Sequence, residues 1–159
     1  MPPVVRVVNT FSFSGNSPSS AVHCGGWNCG GVPNSNLPEA VRYYEEALRI
    51  NPASYKGYNN LAWLLAIHEP AQGGDPQMAL ELAQRSCGLK PDWPVSVDTL
   101  AAAYAVCGRF PEAISTAQKA LDLSMAEKDQ QLARQIQALL ELYKKGKPYR
   151  EPVIRRRLR

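Results

Sequence analysis

The sequence predicts an all-α fold built from repeated pairs of helices, and three observations support this prediction. From Leu37 onward, apolar residues recur every three or four positions, which is the spacing of one face of an α-helix. Gly and Pro residues separate the stretches that carry this pattern. Similar stretches return at fixed offsets along the chain, which is typical of a repeat architecture.

Length and composition are those of one globular domain. The chain has 159 residues, 45% of them hydrophobic, and a mean hydropathy of -0.30. Its longest apolar run, Leu61–Ile67, has seven residues, whereas a membrane-spanning helix needs ~20. No signal peptide is recognisable at the start either. We therefore expect a cytoplasmic location. This expectation applies to the present chain and does not extend to a longer parent protein.

Charge divides the chain into three parts. Residues 1–36 carry one basic side chain (+1), residues 37–146 carry 11 basic and 13 acidic side chains (-2), and residues 147–159 carry six basic and one acidic (+5). We predict a helical repeat domain at 37–146 and a basic tail at 147–159. A nucleic-acid-binding domain would carry its positive charge on a folded face. We therefore do not expect nucleic acid or an anionic membrane as partners, except through the tail residues Arg155–Arg159.

The first 36 residues are predicted to be a disordered segment. Twenty of them are Gly, Ser, Pro or Asn, which favour turns and bury little apolar surface. His23, Cys24 and Cys29 are the clustered metal-ligand types there. Structural zinc sites generally need four ligands, so we expect no metal site.

Each helix is predicted from its apolar stripe and from the residues that stop it. The stripe of the first helix, 37–50, includes Leu37, Val41, Tyr44 and Leu48. Asn51-Pro52 ends it, and Lys90-Pro91 and Gly108 end later helices. The other helices are expected at about 55–68, 76–88, 95–107, 111–123 and 126–145.

The helices repeat with a regular offset. The pattern that begins at Ala79 returns at Ala113, an offset of 34 residues, and the pattern that begins at Ala40 returns at Ala79, an offset of 39. A 34-residue period explains both offsets if the loop Glu69–Pro76 contains an insertion of five residues.

This pattern resembles the tetratricopeptide repeat, a 34-residue helix–turn–helix unit. The resemblance is clearest in Leu100-Ala101-x2-Tyr104-x3-Gly108-x-Phe110-x2-Ala113-x3-Ala117-x2-Ala120. It covers residues 37–145 and implies a right-handed α-α superhelix of about two and a half repeats plus a C-terminal capping helix. The ending Leu142–Arg150 is similar to the C-terminal repeats of large bacterial proteins of this family, so we expect the chain to be the end of a longer protein.

No motif for catalysis is recognisable. The sequence has no phosphate-binding loop, dinucleotide fingerprint, nucleophile elbow or His-Glu-x-x-His helix. The adjacent carboxylates Glu45 and Glu46, and Glu127 with Asp129, lie on polar faces of predicted helices. We therefore expect no enzyme activity and no cofactor.

In tetratricopeptide arrays the first helix of each unit lines a concave groove that binds peptides. The resemblance places this groove on the second and fourth helices, and the predicted partner-binding residues are Lys56, Asn59, Asn60, Trp63, Asp98 and Thr99. Trp63 is either an apolar anchor for a ligand or a packing residue of the core. The negative charge of Asp98 favours a mixed or basic ligand over an acidic one.

These observations favour a non-catalytic protein–protein interaction module that binds a peptide or protein. Two alternatives stay open. In the first, the chain is the C-terminal regulatory or substrate-recruiting fragment of a larger bacterial enzyme such as a kinase or glycosyltransferase. In the second, it binds nucleic acid or an anionic membrane through Arg155–Arg159. We also expect self-association through the edge formed by helix 37–50, because the repeat that would cover this helix is incomplete.

Overall fold

The computed structural model describes residues 37–150. The predicted disordered segment 1–36, including His23, Cys24 and Cys29, and most of the basic tail lie outside the described residues. Within residues 37–150 the chain forms six α-helices and one short 3-10 helix. The α-helices are α1 (Leu37–Ile50), α2 (Tyr55–Ile67), α3 (Pro76–Leu89), α4 (Pro94–Val106), α5 (Phe110–Ala126) and α6 (Gln130–Lys144), and the 3-10 helix is Pro70–Gln72. The predicted all-α fold is confirmed.

Each helix packs on the one that follows it, and α2 also packs directly on α4. We call α2, α4 and α6 the inner row and α1, α3 and α5 the outer row. Two buried apolar clusters fill the space between the rows. One lies between α2 and α3, and the larger one joins α4, α5 and α6. Tyr104 of α4 packs against both clusters, so the core is continuous.

Alanines allow the helices to approach closely, as the repeat pattern predicts. Six alanines of the repeat motifs are completely buried: Ala79, Ala83, Ala101, Ala113, Ala117 and Ala120. Side chains this small bring the two helices of a pair together, and interiors packed at such density tolerate little added volume.

Side-chain caps and glycine turns define the helix ends. Ser54, Asp75 and Asp129 each accept a hydrogen bond from a backbone N–H in the first turn of α2, α3 and α6, respectively. Gly108 ends the α4 region with a φ of 76°, as expected for a glycine that follows a helix.

The boundary between α5 and α6 differs most from the prediction. Helix α5 continues to Ala126, and α6 begins at Gln130 instead of about 126. Between them, Lys128 has a φ of 61°, and the Asp129 carboxylate caps α6 by accepting a hydrogen bond from the N–H of Leu132 at 3.0 Å. In the sequence, this cap is a single Asp within a polar stretch. The spacing of apolar residues does not reveal such a residue.

The predicted insertion is a compact turn that packs on the end of α2. It contains the 3-10 helix, followed by Gly73 with a φ of 95°. A Cβ atom on Gly74 would lie 2.0 Å from the carbonyl oxygen of His68. Only glycine therefore fits at position 74, and this close approach holds the loop against the end of α2.

Candidate functional site

We call the inner face the side of α2 and α4 that carries the six predicted partner-binding residues, together with the adjoining Tyr143 of α6. Asn59, Asn60 and Trp63 of α2 occupy the same repeat positions as Asp98, Thr99 and Ala102 of α4, because each pair differs by 39 in residue number. The structure thus brings the two predicted stripes side by side, since α2 packs directly on α4.

Most of these residues are covered rather than open. Asn59, Asp98 and Thr99 are buried, and Trp63 is only 2% exposed. Asn60 is half-buried, and Lys56 is exposed. The part of the inner face that a ligand can reach directly is therefore the N-terminal end of α2. The Trp63 indole belongs to the larger apolar cluster, and whether it also serves as an anchor for a ligand stays a prediction.

The chain itself provides part of this cover. After α6, the N–H of Gly146 donates to the carbonyl of Tyr143, and the N–H of Lys147 donates to the carbonyl of Leu142. Gly146 has a φ of 65°, which is the left-handed conformation that reverses a chain at a helix end. Residues 147–150, called here the closing segment, then run without helical structure back to α2.

Tyr149 and Arg150 attach the closing segment to α2. The Tyr149 ring stacks on the Trp63 indole, with centroids 5.9 Å apart and planes inclined by 21°. The Arg150 guanidinium donates from Nη1 to the carbonyl oxygens of Ala66 at 3.2 Å and His68 at 2.5 Å. Its Nε lies 3.4 Å from Oε1 of Glu69. These contacts neutralise carbonyl groups that have no partner within a helix and that carry its partial negative charge.

The C-terminal end of α2 is therefore a site built from hydrogen-bond acceptors. His68 contributes a further cap, because its Nδ1 lies 2.8 Å from the carbonyl oxygen of Leu64. This agrees with the capping role that its position at a helix end predicts.

Polar atoms without partners are buried in the same face. Within the described residues, Oδ1 of Asn59, Oδ1 of Asp98 and the hydroxyl of Tyr143 have no hydrogen-bond partner. Burial raises the pKa of the Asp98 carboxyl to about 7. Burial, together with the nearby Asp98 and Tyr149, raises the pKa of the Tyr143 phenol well above its ordinary value. Since buried polar groups without partners are costly, these atoms lower the stability of the packing behind the inner face.

Several residues of this surface were not predicted from the sequence. Glu69 lies in the insertion, Tyr143 on the capping helix, and Tyr149 and Arg150 in what the charge pattern indicates as a tail. One signal was available, namely an aromatic residue, Tyr149, within a stretch of basic ones. Contacts between residues that are more than 80 positions apart leave no mark on local periodicity.

Other kinds of site find no support among residues 37–150. No group of three or more His, Cys, Asp or Glu side chains in this part of the chain is placed to hold a metal ion. No helix within the same range has the length and apolar character needed to cross a membrane.

Comparisons with known proteins agree with the repeat architecture. Residues 43–81 match the family model described as tetratricopeptide repeat. The matched stretch is 39 residues long (43 to 81 inclusive) and contains the insertion between α2 and α3.

A solved structure of this architecture has the same fold. It is the TPR2B domain of yeast Sti1 in a complex with pHsp70, and it matches with a TM-score of 0.62 and 21% sequence identity. The match covers 71% of this chain and 86% of that one. The fold is therefore that of a tetratricopeptide repeat domain. The likeness to bacterial members of the family stays a prediction.

Proposed function

We propose that this tetratricopeptide repeat domain is a non-catalytic interaction module whose inner face binds a peptide or protein partner. The observation that carries the proposal is the polar stripe of α2, in which Lys56 is exposed and Asn60 half-buried, beside the buried polar atoms of Asn59, Asp98 and Tyr143 that lack partners among residues 37–150. A stable core without a ligand would be expected to satisfy or to exclude such groups. Lys56 and Asn60 extend this surface to the solvent-exposed end of α2.

The related fold supports the same role. The Sti1 domain was solved as a complex with pHsp70, so a domain of this architecture accommodates a partner. The inner face of this chain has its own chemistry, because Glu69 provides an exposed carboxylate at the end of α2. This favours a neutral or basic ligand over an acidic one, since like charges across an interface oppose binding.

The experiment is selection of peptides from a random display library on the full chain, followed by affinity measurements on variants. Both positions stand at the accessible end of the inner face, so for basic selected peptides we expect Asn60→Arg to weaken binding about tenfold and Lys56→Glu to strengthen it, because the two changes alter the local charge in opposite directions. The matched variants Gln118→Arg and Lys119→Glu on α5 place the same changes on the outer row, at exposed positions.

The outer-row variants are expected to bind with unchanged affinity. An equal change of peptide affinity in the α2 variants and the α5 variants, or a change in the α5 variants alone, would contradict the proposal. Circular dichroism and melting curves of all four variants exclude unfolding as the cause of any change.

A further inference from the structure

We propose that the ligands of the inner face are extended peptide segments in which an aromatic residue is followed directly by arginine, as it is in the closing segment. This inference rests on the proposed function and names its ligand. Tyr149 and Arg150 occupy the inner face as such a ligand would, outside any helix and in contact with Trp63 and Glu69.

The arginine position selects a guanidinium group. Three acceptors converge on Arg150, namely the carbonyl oxygens of Ala66 and His68 and the carboxylate of Glu69. A planar guanidinium has five N–H donors in a fixed fork, and here two of its nitrogens serve different acceptors. A lysine ammonium concentrates its donors on one nitrogen, so it cannot reproduce this arrangement.

The aromatic position selects a flat ring. Trp63 presents the face of its indole to Tyr149, and the small inclination between the two planes shows a stacked geometry. Stacked aromatic pairs contribute beyond the area that they bury. An aliphatic side chain would fill the same space without this geometry, so we expect it to bind more weakly.

The closing segment is bound in a way that a competitor can reverse. Its contacts include one ring stack, the packing of Tyr149 on the larger apolar cluster, the hydrogen bonds of the Arg150 side chain and one ion pair with the half-exposed Glu69. No helix or strand continues through residues 147–150. The segment gains its occupancy from the covalent link to α6, which provides an effective concentration in the millimolar range. A partner that carries the same pair of residues would displace it.

The test measures binding of a peptide with the sequence of residues 146–152, Gly-Lys-Pro-Tyr-Arg-Glu-Pro, to the full chain. The first protein is the wild type, and the second is the double variant Tyr149→Ser/Arg150→Ser, whose own segment no longer competes. We expect the double variant to bind the peptide about tenfold more tightly or better, because the intramolecular competitor is removed.

Peptide variants test the chemistry of the two positions. Replacing Tyr by Ala, or Arg by Lys, is expected to weaken binding to the double variant about tenfold. Adding Glu69→Gln to the double variant should weaken binding of the peptide that carries Arg. It should leave unchanged the binding of a further peptide in which Ala replaces that Arg. No gain in the double variant, or equal binding of all peptides, would overturn the inference.

Two further measurements keep the outcome interpretable. If the double variant loses its helical circular dichroism signal, the single variant Arg150→Gln replaces it. We expect this variant to bind the peptide several-fold more tightly than the wild type does, and no gain in affinity would count against the inference. A groove that binds library peptides without an aromatic–Arg pair would overturn this inference while the proposed function stands. Peptide binding that is weakened by Lys119→Glu on the outer row, and not by Asn60→Arg, would instead overturn the proposed function.

Discussion

The hydroxyl oxygens of Ser86 and Ser96 lie 2.6 Å apart in the buried contact between α3 and α4. Ser86 also donates to the carbonyl oxygen of Tyr55 at 2.8 Å, so one side chain joins three helices. In the repeat pattern, position 86 corresponds to Ala120, which is 34 residues later and is also completely buried. The serine therefore retains the small volume required at this position and adds a polar link.

Ser86→Ala is expected to destabilise the domain by about 1 to 2 kcal/mol, because it leaves the Ser96 hydroxyl buried without its partner. The measurement is urea unfolding followed by circular dichroism. Ser115→Ala is the matched control, since the Ser115 hydroxyl bonds to a carbonyl of its own helix at an exposed site. Equal stability of the two variants would show that the link between the serines contributes nothing.

The stability of the domain is expected to depend on pH through Asp98. Its pKa is about 7 in the folded state, against an ordinary value of 3.8, so the folded protein holds the proton more tightly than the unfolded chain. The contribution of Asp98 to stability is therefore fully present below pH 4 and is lost as the pH rises towards 7.

Asp98→Asn removes this loss. We expect the variant to be more stable than the wild type at pH 8, by up to about 4 kcal/mol, and nearly equal to it at pH 4. The measurement is urea unfolding at both pH values, with Asp122→Asn at an exposed site as the control. A difference in unfolding free energy between Asp98→Asn and the wild type that is the same at pH 4 and pH 8 would contradict the raised pKa of Asp98.

Gly74 and Gly88 form a matched pair that tests the insertion loop. Gly74→Ala would bring a Cβ atom to 2.0 Å from a backbone oxygen, and we expect a loss of about 2 kcal/mol or more. Gly88 lies in α3 with no atom within 4 Å of the added carbon. Gly88→Ala should stabilise the domain by about 0.5 to 1 kcal/mol through higher helix propensity. Melting curves that shift in the same direction would refute the loop geometry.

Self-association through α1 stays a prediction that the structure makes easier to test. Val41, Tyr44 and Leu48 pack against the cluster between α2 and α3, so a substitution at Tyr44 would disturb folding. Tyr43 and Ile50 are 52% and 75% exposed, and they are the better positions to probe. Tyr43→Lys is expected to weaken a concentration-dependent dimer in sedimentation velocity runs.

Met125→Lys is the control for this experiment, because Met125 is exposed at the end of α5. A wild-type chain that stays monomeric at high concentration, or equal weakening by both substitutions, would refute an interface at this edge.

The sequence was informative where the determinants are local. The recurrence from Ala79 to Ala113 predicts both the helix positions and the buried alanine contacts, because one residue type at one spacing encodes each. The insertion at Glu69–Pro76 is visible as a change of offset. The start of α6 was misplaced, since a single capping aspartate determines it.

The state of the inner face could not be predicted in the same way. Periodicity assigns Trp63 and Asp98 to a stripe that faces away from Leu61, but it does not show what covers this stripe. Part of the cover comes from Tyr149 and Arg150, which reach α2 after the chain reverses at Gly146. Such a contact depends on the completed array and not on any local pattern.

The most direct test of the account is the indole N–H signal of Trp63 in a two-dimensional ¹⁵N–¹H NMR spectrum of the full chain, assigned with Trp63→Phe. A peptide selected on the protein is added during the measurement. We expect the Trp63 signal to move as the Tyr149 ring leaves the indole, while the signal of Trp93, which packs edge-on against Tyr55, stays in place. A bound peptide that leaves the Trp63 signal unchanged would contradict the claim that ligands enter the inner face by displacing the closing segment.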